Sequence, residues 1–181
     1  MQQKYLYMSE MNLLTLRAVE VEDKDKIFYW ENDCDNWLVG ANYRWLSKYS
    51  VEEYIADSQT KDVLSCSQMR LMLKLNLKQK NQAIGCIDLY DIDARNSRAG
   101  VGFFVEKEYR NQGFATLALK KMELYCKNIL NLHQIHAQVP SNNVVCNKIF
   151  QSLEYNLTGT LQDWLKQYNN YTDVNCYQKI F

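Results

Sequence analysis

A loop between a predicted strand and a predicted helix combines the residue types that suit a phosphate group. It reads Arg110-Asn111-Gln112-Gly113-Phe114-Ala115 and is followed by Thr116. The first turn of a helix has backbone N–H groups without partners and carries partial positive charge. Gly113 permits positive φ and close approach of a ligand, Arg110 adds a fixed charge, and Thr116 adds a hydroxyl. An ordinary strand-to-helix connection is the alternative, and the glycine spacing alone does not decide between the two.

The patterns on either side of this loop define its place in the fold. Ala99 to Val105 is an apolar run with two glycines, which indicates a strand. From Phe114 to Ile129 the apolar residues recur at the helical period, with lysines on the other face. The loop therefore joins the end of a strand to the start of a long amphipathic helix.

The rest of the chain alternates between strand and helix patterns. Ser50 is the expected N-cap of one helix because Glu53 follows three residues later, and Ser141 or Asn142 is the expected cap of another. Residues 163–171 form a predicted polar tip. Further strands are predicted over 13–18, 68–78, 83–90, 135–139, 154–160 and 174–181, and helices over 22–32, 50–58 and 141–152. This order predicts one α/β or α+β domain over residues 1–181 with a mixed sheet, preceded by an extension over residues 1–11.

Composition excludes several classes of protein. The 181 residues carry a formal net charge of zero, which favours neither a nucleic-acid nor a membrane surface. The apolar runs are too short to span a bilayer and the N-terminus lacks a signal-peptide pattern, so a cytoplasmic protein is expected. The six cysteines form no C-x-x-C pair and only two histidines are present, so no metal site is expected. We expect the thiols to be reduced and most of them to be small core residues.

The loop and its neighbours resemble motif A of the GCN5-related N-acetyltransferases. That motif is Gln/Arg-x-x-Gly-x-Gly/Ala after a strand, and its amides hold the pyrophosphate of acetyl-coenzyme A; here Arg110, Gly113 and Ala115 match it. The resemblance covers nearly the whole chain after about residue 12. It implies a mixed, mostly antiparallel sheet of about six or seven strands flanked by about four helices, with acetyl-coenzyme A as co-substrate. The implied cofactor-binding residues are Phe104, Val105, Arg110, Asn111, Gln112, Gly113, Phe114, Ala115, Thr116, Asn143 and Phe150.

A second segment, residues 143–155, resembles the family signature N-x-x-S/A-x-x-x-Y/F-x-K-L-G-F. Asn143 matches the asparagine that faces the pantetheine arm of the cofactor in the family. Three residues depart from the usual pattern. Cys146 replaces Ser or Ala, Phe150 stands where many members have Tyr, and Glu154 replaces the Gly.

Residues 29–33 and 85–93 resemble the branch that holds spermidine/diamine and ribosomal-protein N-terminal acetyltransferases. The run from Gly85 to Asp93 is most similar to G-x-V-E-L-x-E-I-D of the spermidine enzymes. The resemblance implies a small amine partner, with a polyamine such as spermidine the leading acceptor. Acetylation of a protein N-terminus and a non-catalytic coenzyme A sensor are the alternatives. Assembly into a homo-oligomer stays open.

Acetyl transfer to an amine by direct attack in a ternary complex needs mainly positioning. An amide N–H around Phe104 and Val105 is expected to polarise the thioester carbonyl, as the resemblance implies. Asp88, in the middle of a predicted strand, is the first candidate for general base or amine ligand. The competing interpretation places Asp88 on a solvent-facing side of the sheet.

Three further acidic residues, Glu31, Asp33 and Asp35, would attract a cationic substrate. With Asp88, Glu31 and Asp33 form the predicted substrate-binding set. A solvated loop at a helix end is the alternative for these acids. Gly100 occupies a position where some relatives carry a catalytic glutamate, so this chain must work without that group.

The departing thiolate needs a proton donor, and the sequence leaves several candidates for it. Many family members use a tyrosine, and Phe150 has no hydroxyl to serve in its place. Cys146, one helical turn earlier, is the candidate acid through its S–H group, against the alternative of a buried structural cysteine. Tyr155, Tyr109 and water stay open. Both histidines, His133 and His136, are expected to be structural.

Overall fold

Residues 12–37, 44–60, 62–76, 83–167 and 169–181 are described by the computed structural model, and their seven strands form one sheet. The order across the sheet is β1-β2-β3-β4-β5-β7-β6. The strands are β1 (Leu14–Ala18), β2 (Gln68–Leu75), β3 (Ala83–Asp93), β4 (Arg98–Val105), β5 (Gln134–Pro140), β6 (Asn156–Gln167) and β7 (Asn170–Ile180). The α-helices are α1 (Lys24–Asn32), α2 (Cys34–Trp37), α3 (Lys48–Thr60), α4 (Phe114–Asn128) and α5 (Val144–Ser152).

The sheet is mixed and mostly antiparallel, as predicted. Every pairing between neighbouring strands is antiparallel except that of β4 with β5. This parallel pairing is short: it joins Arg98 to Gln134, Ala99 to Ile135 and Gly100 to His136. Both strands continue for several residues beyond it, to Val105 and Pro140.

Helices cover the two faces of the sheet unequally. The main face packs against α4 and α5 in a large apolar cluster that includes Ile87, Val101, Leu119 and Phe150. The opposite face packs against α1 and α3 in a smaller cluster that includes Trp30, Val51, Met72 and Cys86. Because side chains alternate along a strand, each of the central strands contributes to both clusters.

The caps of two helices differ from the prediction. Helix α3 begins at Lys48 and ends at Thr60, and the hydroxyl oxygen of Ser47 accepts a hydrogen bond from the N–H of Ser50 at 3.0 Å. Ser50 is therefore inside the helix and not its N-cap. Helix α5 is capped by Asn143, whose Oδ1 accepts from the N–H of Cys146 at 3.1 Å, in place of Ser141 or Asn142.

The end of the chain is more regular than the sequence indicates. The predicted polar tip at 163–171 is largely strand, because β6 continues to Gln167 and β7 begins at Asn170. Two shifts of register in this hairpin absorb the extra residues of β6. Before it, Glu154 adopts φ of +63°, a conformation that favours glycine. This explains why the family signature has Gly at the position where this chain has Glu.

The cysteines correct another expectation. Only Cys86 and Cys126 are buried, while Cys66, Cys146 and Cys176 are half-buried and Cys34 is exposed. Burial raises the pKa of the Cys86 and Cys126 thiols to about 12, so these two are small core residues that stay protonated. Within the part of the chain that the structure describes, no helix combines the length and the apolar character of a membrane span.

The contact between β3 and β4 gives a test of this packing. A Cβ atom on Gly85 would lie 2.1 Å from the backbone oxygen of Phe104, so Gly85→Ala must push two central strands apart. We expect a loss of about 1–3 kcal/mol in the free energy of unfolding, measured by urea denaturation. Gly159→Ala is the matched control, because nothing lies within 4 Å of its new Cβ. Equal stability of the two variants would contradict the close approach of β3 and β4.

Candidate active site

The site is built around a gap between β4 and β5 that opens beyond their three paired residues. The N–H of Glu106 donates to the C=O of Ile84 on β3 at 2.9 Å, and β3 pairs with β4 without a register shift from Gly100 to Val105. Backbone groups alternate sides along a strand. The N–H and C=O groups of Val101, Phe103 and Val105 therefore face the gap.

This alternation separates the two residues that were predicted to polarise a thioester carbonyl. Val105 directs its N–H into the gap, while the N–H of Phe104 faces β3. Phe103 was not predicted, although its N–H faces the gap as that of Val105 does. Phe103 can be identified from the alternation of backbone N–H groups along a strand. Once β3 is known to pair with the even-numbered residues of β4, the N–H groups of the odd-numbered residues must face the gap.

Helix α4 begins beside the open end of this gap. Gly113 is its N-cap, with φ of +80°, and its C=O accepts the first helical hydrogen bond from the N–H of Leu117 at 3.0 Å. The N–H groups of Phe114, Ala115 and Thr116 precede that bond, and no side chain caps them. Nothing lies within 4 Å of the position of a Cβ on Gly113. These amides and the open space above them suit an anion.

The remaining predicted loop residues shape this turn. Asn111 also has positive φ, at +59°, and the side-chain Nε2 of Gln112 donates to the C=O of Glu108 at 2.9 Å. The Nε of Arg110 donates to the C=O of Val105 at 2.8 Å, and its guanidinium carbon lies 5.8 Å from the centre of the Phe104 ring. Arg110 therefore ties the loop to the end of β4 and places a cation between the gap and the helix.

On the opposite face of the sheet, Arg70 brings together two of the predicted acidic residues. Its Nε and one Nη donate to the two carboxylate oxygens of Asp88 at 2.8 and 2.9 Å, and its other Nη donates to Glu31 at 2.5 Å. Its guanidinium carbon lies 5.8 Å from the centre of the Tyr54 ring, and burial raises the pKa of Tyr54 to about 12. We call Glu31, Arg70 and Asp88 the acidic triad.

Arg70 was not among the predicted site residues, although Arg70 and Asp88 are direct partners in the β2–β3 register. Asp33 and Asp35 belong to a different cluster. The N–H of Asp35 donates to Asp33 at 3.1 Å, and Lys107 donates to Asp35 at 2.9 Å. This hydrogen bond from Lys107 lowers the pKa of Asp35. The structure therefore joins Glu31 to Asp88 but leaves Asp33 with other partners.

Residues 14–156 match the sequence profile described as "Acetyltransferase (GNAT) domain". The chain belongs to the GNAT acetyltransferase family. It is 28% identical over 168 residues to the uncharacterized N-acetyltransferase p20 of Bacillus licheniformis, covering 89% of each chain. It is 25% identical over 172 residues to the uncharacterized N-acetyltransferase YoaA of Bacillus subtilis, covering 94% of this chain and 95% of that protein.

Solved structures with the same fold include a spermidine N-acetyltransferase. The Vibrio cholerae enzyme in complex with CoA and spermine superposes with a TM-score of 0.84 at 21% identity, over 93% of this chain and 95% of that one. A dodecameric structure of spermidine N-acetyltransferase from the same organism gives a TM-score of 0.79 at 21% identity, over 93% and 94% of the two chains. At this identity the likeness establishes the GNAT fold.

The residues of the GNAT signature lie on α5, at its N-cap and just after its last turn. Phe150 is only 2% exposed and packs in the main core against Phe103, Tyr155 and Tyr177, with ring centres 6.1, 4.9 and 5.6 Å away. Phe150 is thus enclosed by other rings, and its contact with the cofactor stays a prediction. Asn143 uses its Oδ1 to cap α5, and its contact with a pantetheine arm stays a prediction.

The candidate acids differ in access. Burial raises the pKa of the Cys146 thiol, against the opposing effects of Asn143 and Arg110, so this half-buried group stays protonated. The Tyr155 hydroxyl is buried and has no hydrogen-bond partner among the described residues. Burial, and then the neighbouring Glu123, raise the pKa of Tyr155 strongly. Tyr155 is therefore a core residue, while Cys146 stays a candidate.

In the described ranges, no group of three or more metal-ligating side chains comes together.

Gly113 gives a test of the anion site. Gly113→Val places a side chain in the open space above the α4 amides and also strains the left-handed backbone, at a cost of about 1–2 kcal/mol. Acetyl-coenzyme A at 100 times its Kd should stabilise the native protein by about 2.7 kcal/mol. We expect Gly113→Val to lose most of this stabilisation, read as the increase in melting temperature on adding the cofactor.

Asn131→Val is the control, because Asn131 has a similar φ of +52° in the loop after α4. It should lower the melting temperature of the free protein while keeping the full increase with acetyl-coenzyme A. An undiminished increase in Gly113→Val would show that the loop does not hold the cofactor.

Proposed function

We propose that the protein transfers an acetyl group from acetyl-coenzyme A to a primary amine, by direct attack in a ternary complex. The observation that carries this proposal is the parting of β4 from β5 after three paired residues. The gap so formed is lined by backbone groups of β4 and β5 that do not pair across it, and it ends at the amides of α4. A diphosphate joined to an extended, amide-bearing arm, which is the chemistry of coenzyme A, fits this combination.

The chemical order of coenzyme A fixes its direction in the gap. With the diphosphate at the N-terminus of α4, the pantetheine arm runs along β4 toward its paired end, and the thioester comes last. The N–H of Val105 is nearest the loop and would bind the arm, while the N–H of Phe103 lies deeper. We therefore assign polarisation of the thioester carbonyl to the backbone around Phe103, with Val105 holding the arm.

The acceptor amine belongs on the opposite face, at the acidic triad. Its two carboxylates and one guanidinium leave a net charge of minus one beside the gap, which favours a cationic amine. Both oxygens of Asp88 accept hydrogen bonds from Arg70, so Asp88 has less capacity to take a proton than a free carboxylate would have. We propose that Asp88 and Glu31 bind the ammonium form of the acceptor, and that general-base action by Asp88 is secondary.

A polyamine or diamine is the acceptor class that this site supports best. Its several cationic nitrogens match a site with more than one acidic group, because Asp91 follows the triad along β3, while Asp93 beyond it pairs with Arg98. The spermine-bound Vibrio cholerae enzyme shares the fold. The dodecameric form of that enzyme supports a further proposal, that this chain also assembles into homo-oligomers. The rival acceptor is the α-amine of a protein N-terminus, which requires room for a peptide.

A thiol-release assay with acetyl-coenzyme A against polyamines, diamines and N-terminal peptides tests the proposal. We expect turnover with spermidine or a related amine, and an apparent KM that rises with salt because exposed charge attraction is screened. Turnover with peptides alone would assign the chain to the N-terminal acetyltransferases. Binding of the cofactor with no acceptor turned over would favour the sensor interpretation.

The contribution of the triad is tested with Asp88→Asn. This change keeps the shape of the side chain but removes its charge, so we expect the apparent KM for the amine to rise by about 10-fold, equivalent to about 1.4 kcal/mol. The melting shift with acetyl-coenzyme A should not change. Asp25→Asn, at an exposed acid on α1 that pairs with Lys48, is the control for loss of one negative charge. An equal rise in both variants would mean that only overall charge matters.

A further inference from the structure

The side chain of Tyr90 crosses β4 at the paired end of the gap. Its ring lies directly on Gly100, where a Cβ atom would come within 2.2 Å of the ring carbon Cε2 and 2.4 Å of Cζ. A Cβ on Gly102 would lie 3.8 Å from Cε1 on the other side of the ring. The two glycines of β4 therefore form the surface on which this ring rests. No larger residue fits at position 100 while the ring stays there.

The hydroxyl of Tyr90 lies near the backbone of Gln138, beyond the last paired residue of β5. The N–H of Gln134 donates to the C=O of Ser97 before β4, so even-numbered residues of β5 face β4. Gln138 lies two residues beyond His136, where the pairing ends, and its N–H therefore faces the gap. The backbone of Gln138 is close enough to the Tyr90 hydroxyl to lower the pKa of that group against the effect of burial. The phenol therefore lies at the closed end of the gap.

The surroundings keep this phenol protonated and leave its hydrogen available. Burial raises the pKa of Tyr90, and the backbone of Gln138 only partly opposes this effect. Among the described residues, no side chain forms a hydrogen bond with the Tyr90 hydroxyl. A cavity of about 650 Å³ lies nearby, and its lining includes Asp91, His136 and Gln138. The ring of His136 meets that of Tyr90 edge-on, 5.9 Å between centres.

We propose that Tyr90 is a catalytic residue that protonates the departing thiolate, an inference that rests on the proposed function. With the diphosphate at the start of α4, the thioester comes to the closed end of the gap, where the Tyr90 ring lies on Gly100. The attacking nitrogen first loses its ammonium proton to solvent water and becomes the neutral amine. It then attacks the carbonyl carbon, and the carbon–sulfur bond breaks with its electron pair going to sulfur. Tyr90 gives its proton to sulfur and regains one from the nitrogen that has become acylated. The products are the amide and coenzyme A thiol, with Tyr90 unchanged.

This role agrees with two other features of the site. The tyrosine that many relatives place on α5 is Phe150 here, and it is enclosed in the core. Cys146, the other candidate donor, lies at the start of α5, on the helix that packs against the main face. Tyr90 approaches from the opposite face, on the same side of β3 as Asp88. The acceptor amine and the proton donor therefore share one side of the sheet.

The first test is Tyr90→Phe, which keeps the ring on Gly100 and removes only the hydroxyl. We expect kcat with the best amine to fall by about 10- to 100-fold, while the melting shift with acetyl-coenzyme A and the KM for the amine stay the same. Tyr177→Phe is the matched control, because Tyr177 is a buried tyrosine whose hydroxyl donates to Asn147 in the main core. Its kcat should equal that of the native protein.

The second test displaces the ring and keeps the hydroxyl. In Gly100→Ala the new methyl group must push the Tyr90 ring away, so kcat should fall as in Tyr90→Phe. The double variant should then be no slower than the slower single variant, because the same proton donor is lost only once. The melting temperature of each variant shows whether the fold has survived.

The third test distinguishes proton donation from a structural role. Fluorinated tyrosine at position 90 keeps the ring and the hydroxyl but makes the phenol more acidic, so the alkaline fall in kcat should move to lower pH. The titratable groups around Tyr90 are Asp91 on β3, His136 on β5 and Cys176 on β7, and the fluorinated and native proteins share all three. A purely structural hydroxyl would leave the alkaline limb where it was.

The outcomes separate this inference from the proposed function. Native turnover that is undiminished in Tyr90→Phe would overturn the role of Tyr90 and leave the acetyltransferase standing. Loss of kcat in Cys146→Ala with none in Tyr90→Phe would assign proton donation to Cys146. Absence of turnover in the native protein with every amine and peptide would overturn both.

Discussion

The short parallel pairing of β4 with β5 is the constraint on which the rest of the structure depends. Three residues of pairing hold the two halves of the sheet together, and beyond them the backbone groups of β4 and β5 do not pair with one another. The C=O of Val105 accepts instead from the Nε of Arg110. Unpaired backbone groups in a protein interior are costly unless a ligand or water satisfies them. The fold therefore makes a site for an extended, amide-bearing molecule out of its own main chain, and side chains are needed only at the ends.

The two faces of the sheet differ in what their side chains do. The main face is filled by α4 and α5, so its side chains serve stability, and Phe150 is enclosed there. The opposite face carries the acidic triad and the Tyr90 ring beside the same gap. In the triad, Arg70 has two opposing effects on the binding of a cationic amine. It neutralises much of the acidic charge that would attract an amine, but it also fixes both carboxylates in place, so an acceptor meets a prearranged site of modest charge.

What could be predicted from the sequence follows from whether a signal is local. The strand, the turn at Gly113 and helix α4 depend on neighbours in the chain, and all three were found within a residue or two. Arg70, Phe103 and Tyr90 were not predicted because their roles depend on strand register, which brings together residues that are far apart in sequence. The predicted N-cap of α3 was wrong for a different reason. Ser47 and Ser50 are equally suitable N-cap residues, and only the residue at which α3 begins decides between them.

The residue types at positions 90, 100 and 150 depend on one another. A ring that crosses β4 requires glycine beneath it, so Tyr90 and a larger residue at position 100 exclude one another. Glycine at 100 removes the glutamate that some relatives place there, and the hydroxyl of Tyr90 restores a polar group at the same end of the gap. With the proposed proton donor on the opposite face, position 150 no longer needs a hydroxyl, and phenylalanine there packs among the rings of the main core. The proposed role of Tyr90 on β3 therefore connects two departures from the family pattern, glycine at position 100 on β4 and phenylalanine at position 150 on α5.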